Sequence, residues 1–213
     1  MKVSKEQTSL NREGILDAAA TLYRQQGFKG IGVADITRAA GLTHGGLYRH
    51  FKSKEDLAAQ ACARSFDWTL AQLASSGPQL DFTPASVAAN YLTAAHRDAP
   101  GRGCPVAALA TDVGREGGAV AAAFVAGVER YLAKFTRHRP DGSMAHPPTP
   151  ADRARAIELV TQLVGALVLA RATASARPAL SDEILETVAR GIAQRDWDAH
   201  PPAQQATTKR SRR

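Results

Sequence analysis

Apolar side chains recur at helical spacing along most of this chain, and the runs break at Gly, Pro, Ser and Asn. That pattern predicts an all-α protein of about nine helices. From Leu10 to Gln26, Ile15, Ala18, Ala19, Leu22 and Tyr23 form one stripe, with Ser9 or Asn11 as the cap and Gly27 as the stop. Phe28 reads as a plug between this helix and the next. Val33, Ile36, Ala39 and Ala40 stripe a short second helix that Gly41 ends in a left-handed turn. A third short helix turns Leu47 and Phe51 inward. Ser53, with Asp56 three residues on, predicts a short-side-chain capping box. It opens a fourth helix through Leu57, Ala61, Phe66, Trp68, Leu70 and Leu73 to about Ser75.

The rest of the chain is helical in the same way. Residues 84–97 read as one helix, Cys104 to Val113 as a short one with Pro105 in its first turn, and Gly118 to Arg137 as an alanine-rich one. Two last helices carry the broadest apolar faces. The first covers Ala151 to Ser175 through Ile157, Val160, Leu163, Val164, Leu167 and Val168; the second starts at Ser181 and runs through Ile184, Leu185, Val188 and Ile192. Loops are expected at 75–84, 98–103 and 137–150, where Gly and Pro cluster. Residues 1–8, with Lys2 and Lys5, read as a flexible basic arm, and residues 199–213 as a disordered basic tail.

Composition narrows the function. The chain has 213 residues, of which 44% are hydrophobic and 6% aromatic, and its abundant alanine favours packed helices. A formal charge of +7 suits a polyanionic partner, although part of it lies in the terminal Lys209-Arg210-Ser211-Arg212-Arg213. Two cysteines, Cys62 and Cys104, make no disulfide framework, and a reducing cytoplasm is the expected compartment. The stretch Ile157 to Ala170 is short for a bilayer span and carries Glu158 and Gln162, so no membrane partner is expected. An enzyme has little to stand on. Gly114-Arg115-Glu116-Gly117-Gly118 lacks the spacing and preceding strand of a phosphate loop, and no histidine pair has zinc spacing. No catalytic residue, metal site or cofactor is expected.

The residues around Gly41 carry the chemistry. Two short helices joined by a glycine turn cross steeply, so the second can enter a major groove while the first crosses the backbone. Thr43, His44, Gly45, Gly46, Tyr48, Arg49 and His50 lie on or near its exposed side, followed by Lys52 and Lys54. Bare glycines permit close backbone approach, while Thr43 and His44 offer hydrogen bonds to base edges or phosphates. Arg49 reaches either a base or a phosphate. Tyr48 reads as a phosphate contact through its hydroxyl, with capping of the small core as the alternative; His50 reads as a contact or as a brace for the backbone. Lys54 sits near a helix N-terminus, where phosphate is doubly attracted. Lys2, Lys5 and Arg12 add positive charge outside the groove.

This organisation resembles the TetR family of bacterial transcription regulators. The resemblance rests on Ile15, Leu16, Ala18 to Ala20, Gly27-Phe28, Val33-Ala34-Asp35-Ile36 and Ala39-Ala40-Gly41. Its most specific part is the run Leu47-Tyr48-Arg49-His50-Phe51-Lys52-Ser53-Lys54-Glu55-Asp56-Leu57. It covers about the first third of the chain. The chain departs from the family at Gly32, where threonine or serine is usual, and at Gly45-Gly46.

The resemblance implies a three-helix helix-turn-helix head over residues 9–56 (about 9–69 as a family domain) and a helical effector-binding and dimerisation domain over 57–198. It implies a homodimer on double-stranded DNA, with Thr43 to His50 as the reading helix and a small-molecule effector. A ligand-responsive repressor on a palindromic operator is the reading that follows; a non-specific or architectural nucleic-acid binder is the alternative. Candidate pocket residues are Phe66, Trp68, Tyr91, Cys104, Leu109, Phe124 and Val128. The scarcity of charge in their helices favours an apolar or aromatic effector over an ionic one. Cys104, before a helix start and near Arg102, suggests an electrophilic one, against the ordinary fate of a small buried residue. Candidate dimer-interface residues are Leu163, Val164, Leu167, Ile184, Val188 and Ile192, with Gly165, Ala166 and Ala170 permitting close approach.

Overall fold

The computed structural model describes residues 4–42, 44–75 and 81–198, without the side chains of 44–46. The basic tail, Lys2, Thr43 and part of the first expected loop lie outside the described residues. Among the described residues there are nine α-helices, two 3-10 helices and no strands. The α-helices are α1 (Lys5–Gln26), α2 (Val33–Ala39), α3 (Lys54–Ser75), α4 (Pro84–Tyr91), α5 (Ala94–Asp98), α6 (Pro105–Glu116), α7 (Gly118–Thr136), α8 (Pro150–Thr173) and α9 (Pro178–Gln194). The 3-10 helices are His44–Arg49 and Pro100–Arg102.

The chain ends of the helices follow their caps. α1 begins earlier than expected, so residues 5–8 are not an arm. Ser4 Oγ accepts the Gln7 N–H at 3.0 Å and supplies the cap that Ser9 and Asn11 do not. Gly27 and Gly41, at φ 74° and 71°, stop α1 and turn the chain out of α2. At α2, Gly32 gives no side-chain cap, but Asp35 Oδ2 accepts the Gly32 N–H at 3.2 Å, so half of a capping box survives. At α3, Ser53 Oγ accepts the Asp56 N–H at 3.0 Å as expected, while Asp56 returns its bond to the Lys52 N–H at 2.9 Å.

Three differences from the sequence pattern have local causes. Residues 84–97 form two helices, because Thr93 acts as a new cap and accepts the His96 N–H at 3.1 Å. α9 starts at Pro178, with Pro at its first turn, and Ser181 is buried inside it. Ser181 Oγ donates to Ala170 O of α8 at 2.8 Å, so it ties helices together instead of capping one. α8 is a 24-residue helix and is long and apolar enough to cross a membrane by length and composition alone, which corrects the shorter stretch read from the sequence. Its Leu159, Leu163, Ala166, Leu167 and Ala170 are buried in the body.

The core is continuous from head to body. Ile15, Leu16, Ala19, Ile36, Leu47, Phe51 and Leu57 close the head, and Phe28 plugs it against Tyr23 at a ring separation of 5.1 Å. α3 packs along α1 on one side and along α7 on the other, so it belongs to both regions. α7, α8 and α9 complete the body.

Candidate functional sites

The reading element is held from beneath and exposed above. Leu47 is fully buried and Phe51 nearly so, while Tyr48 between them is 60% exposed. The 3-10 turn from His44 to Arg49 closes with the His50 and Phe51 amides both donating to Leu47 O, at 2.9 and 3.0 Å, and the i,i+4 spacing puts Leu47 and Phe51 on one side. Arg49, Lys52 and Lys54 are exposed, and His50 is half-buried with its ring edge against Phe51. Exposure is what a phosphate contact at Tyr48 requires, and it leaves little of the ring to cap the core. Arg12, by contrast, lies over the Phe51 ring at 5.1 Å and bonds Gln60 and Glu13, so it braces the element. The backbone of His44, Gly45 and Gly46 lies in this same turn.

The end of α1 is tied to the body near a cavity. The Phe28 N–H donates to Asp112 Oδ2 of α6 at 3.1 Å, and Arg24 Nη1 donates to Gly103 O at 3.0 Å. Gly27 passes so close to Asp112 that a Cβ there would collide with its carboxylate. Glu55 Oε1 accepts the Ala119 N–H at the start of α7, and Lys29 pairs with Glu116. The segment around Gly103 is thereby bonded directly to α1, the first helix of the head.

That segment walls a cavity of about 390 Å³. Leu73, Thr69 and Gln72 come from α3, Val87, Asn90 and Tyr91 from α4, and Tyr131 and Phe135 from α7. His96, Arg102, Gly103 and Cys104 complete it. Two of the seven pocket residues expected from sequence, Tyr91 and Cys104, line it. The other five do not. Phe66 and Phe124 meet edge to face at 5.6 Å, with Gly127 giving Phe66 its room, Leu109 is core, and Val128 packs against that core. Trp68 lies under the Arg24 guanidinium at 5.2 Å. His96, Tyr131 and Phe135 were missed. Tyr131 and Phe135 lie one turn apart on α7 and pointed to a shared face, whereas His96 carried no signal beyond its place after a break.

The polar wall is built from backbone-directed side chains. His96 Nε2 accepts the Cys104 N–H at 3.0 Å, and its Nδ1 faces Tyr91 O at 2.8 Å, which requires the neutral ring. Burial lowers the His96 pKa and so favours that form. Cys104 caps the start of α6 and is buried, with its sulfur near the hydroxyls of Tyr91 and Tyr131. Burial, then the neighbouring thiol, raises both phenols.

α8 and α9 divide the expected interface residues in two. Leu163, Leu167 and Ile192 are buried within the chain itself, where α8 packs on α9 and α7. Val164, Ile184 and Val188 stay partly exposed. The outward apolar face of α8 is instead Ile157, Val168 and Leu169, at 40%, 36% and 57% exposure, with Gly165 also exposed. Ala166 and Ala170 face the core.

Comparison with known proteins places this arrangement. Residues 15–61 match the family described as bacterial regulatory proteins, tetR family. Over 62 residues the chain is 39% identical to the HTH-type transcriptional repressor KstR2 of Mycolicibacterium smegmatis, covering 29% of this chain and 30% of that protein. Over 54 residues it is 43% identical to the HTH-type transcriptional regulator AcrR of Shigella flexneri, covering 25% of each. The chain thus matches less than a third of the length of these curated relatives. The whole fold resembles a TetR transcriptional regulator from Chloroflexus aurantiacus, with a TM-score of 0.66 at 24% identity, over 89% of this chain and 97% of that one. It also resembles reduced Escherichia coli NemR, with a TM-score of 0.64 at 20% identity, over 85% and 94%. Residues 15–61 thus carry the DNA-binding head of the TetR family of transcriptional regulators, and the chain as a whole shares the fold of that family's solved members.

Proposed function

We propose that this chain is a DNA-binding transcriptional repressor that acts as a homodimer on a palindromic operator and is released by a small effector bound in the body. The observation that carries the reading is the element at 44–54, where Leu47 and Phe51 anchor and Tyr48, Arg49, Lys52 and Lys54 project into solvent. Exposed cations and a phenol on and just after a short helix suit phosphates flanking a major groove. A repressor needs only occupancy of a promoter, which makes it the simpler form of regulator.

The homodimer follows from the need to read two half-sites. The outward apolar face of α8, with the half-exposed residues of α9, suits isologous pairing. Release requires an effector that prefers a conformation in which the two heads are wrongly spaced. The ties from Gly103 to Arg24 and from Asp112 to Phe28 give the cavity a short mechanical path to α1. A small apolar or electrophilic molecule suits this cavity, with Cys104 the group an electrophile would meet. No catalytic role is proposed.

Selection of bound fragments from a random DNA pool tests the reading. The expected result is an inverted repeat with half-sites near one helical turn apart, about 34–36 Å, and affinity that falls steeply with salt. Recovery of fragments without symmetry, or equal competition by every sequence, overturns it. Repeating the selection with residues 203–213 removed separates the head from the basic tail. Loss of all binding then favours a non-specific binder.

A further inference from the structure

Arg102 lines the cavity, and behind its Gly103 wall, facing a separate cleft toward α1, lie two further arginines that no carboxylate among the described residues pairs, Arg24 and Arg171. Arg24 is 4% exposed, and its guanidinium donates only to backbone oxygens, Ala20 O and Gly103 O, both at 3.0 Å. Arg171 of α8 likewise donates to His96 O and Arg97 O, at 2.9 and 3.1 Å, and its Nη1 is buried without a partner. Among the described residues, neither has a carboxylate within ion-pair distance. Arg97 nearby shows the contrast, since Asp98 and Asp182 both hold it. Among the described residues, Arg102, exposed on the cavity lining, also has no acidic partner, and no Asp or Glu lines the cavity.

A guanidinium keeps its proton at neutral pH, so this charge persists. Burial pulls Arg24 down to about 10, with Cys104 opposing, and lowers Arg171 in the same way. A buried charge left unpaired is costly, and the low dielectric there strengthens its pull on any arriving anion. A neutral aromatic ligand leaves the charge as it is, and a metal cation is repelled. A nucleotide brings a polar bulk that the Leu73, Val87 and Phe135 side does not suit. We propose that the cavity takes a small organic acid, with its carboxylate at the Arg102–Cys104 end and an aliphatic or aromatic body against Leu73, Val87 and Phe135. This replaces the purely apolar effector of the reading above with an acid that keeps an apolar body, and it rests on the effector-released repressor proposed there.

The test measures binding of 2-naphthoate and of its neutral counterpart, 2-naphthamide, to the full chain by calorimetry. The same ligands are then added to the complex with its selected DNA fragment. The acid is expected to bind at least about tenfold more tightly than the amide. Arg102→Gln, an exposed position that leaves the core untouched, should reduce this preference at least about threefold. Leu73→Trp, which fills the cavity from α3, should abolish acid binding. Amide binding as tight as the acid, or undiminished acid binding in Leu73→Trp, overturns the proposal. So does an acid preference unmoved by Arg102→Gln. If the amide alone releases DNA, the effector-controlled reading stands and the acid proposal falls. If the acid binds in the cavity with the expected preference and the DNA stays bound, the acid site stands and the effector reading falls.

Discussion

The head and the body of this protein use the same material, short amphipathic helices, to opposite ends. In the head, the residues that anchor and those that project alternate within one turn: Leu47 buried, Tyr48 and Arg49 exposed, Phe51 buried. In the body, the cavity takes its walls from α3, α4, α7 and the 96–104 segment, far apart in sequence. A surface reader can be written locally, because solvent is always on the far side of a helix from its core. A pocket cannot, because its residues differ from plain core only by what fails to pack against them.

The largest test of this contrast is removal of an anchor. Leu47 is fully buried under the reading element, and Leu47→Ala should destabilise the protein by about 2–5 kcal/mol in urea unfolding. DNA binding should vanish with it, since Tyr48 and Arg49 lose their support. If Leu47→Ala binds DNA as the wild type does, the element is not held from beneath in the way described.

Next in size is the outer face of the body. Leu169 is 57% exposed on α8 whereas Leu163 is 1% exposed on the same helix. Leu169→Glu should leave the monomer folded and make the dimer dissociate at micromolar concentration in sedimentation, with operator affinity falling at least about tenfold. Leu163→Glu should instead unfold the body, because a lone carboxylate enters the core. Unchanged sedimentation in Leu169→Glu moves the pairing face elsewhere.

The head was legible in the sequence for the reason just given. Gly27, Gly41, the stripe Val33–Ile36 and the Ser53–Asp56 cap are local signals, and each appears where it was read. The body was legible only in its helices. Thr93 resembles an interior helix residue until its hydroxyl caps α5, and Ser181 resembles a cap until it is found bonding Ala170. Phe66 and Trp68 have the size of pocket residues, yet the first fills the α3–α7 seam and the second lies under Arg24. Periodicity likewise gives α8 a broad apolar stripe but not which half of it turns inward, so Leu163 and Leu167 read like the outward Val168 and Leu169. The unpaired Arg24 and Arg171 were invisible as well, since the absence of a partner is a fact of three dimensions.

A smaller effect separates phosphate contacts from anchors. Lys54 is exposed at the start of α3, where the helix dipole also favours an anion. Lys54→Ala should weaken operator and unrelated DNA alike, by about tenfold or less, and reduce the salt slope by about one. Thermal stability should not change. A loss confined to the operator gives Lys54 a base-reading role in place of a phosphate one.

The smallest effect compares the two capping carboxylates, one at each region. Asp56 of α3 is held below the ordinary aspartate value of 3.8, first by the Lys52 N–H and then by Gln60. At Asp152 of α8, burial acts to raise the pKa, but the bonds from the Thr149 hydroxyl and N–H outweigh it and the net shift is again downward. A carboxyl lowered by folding stabilises the protein above its unfolded pKa, and that contribution disappears as pH falls through the folded one. The stability difference between wild type and Asp56→Asn, or Asp152→Asn, should therefore be constant from neutral pH to about 5 and shrink below the unfolded value. Asp152 is 5% exposed and also touches Arg155, so its substitution should cost more than that of the open Asp56. Urea unfolding of both variants between pH 7 and pH 3 measures this; a difference that grows on acidification reverses the sign and shows that neither carboxylate is stabilised by its cap.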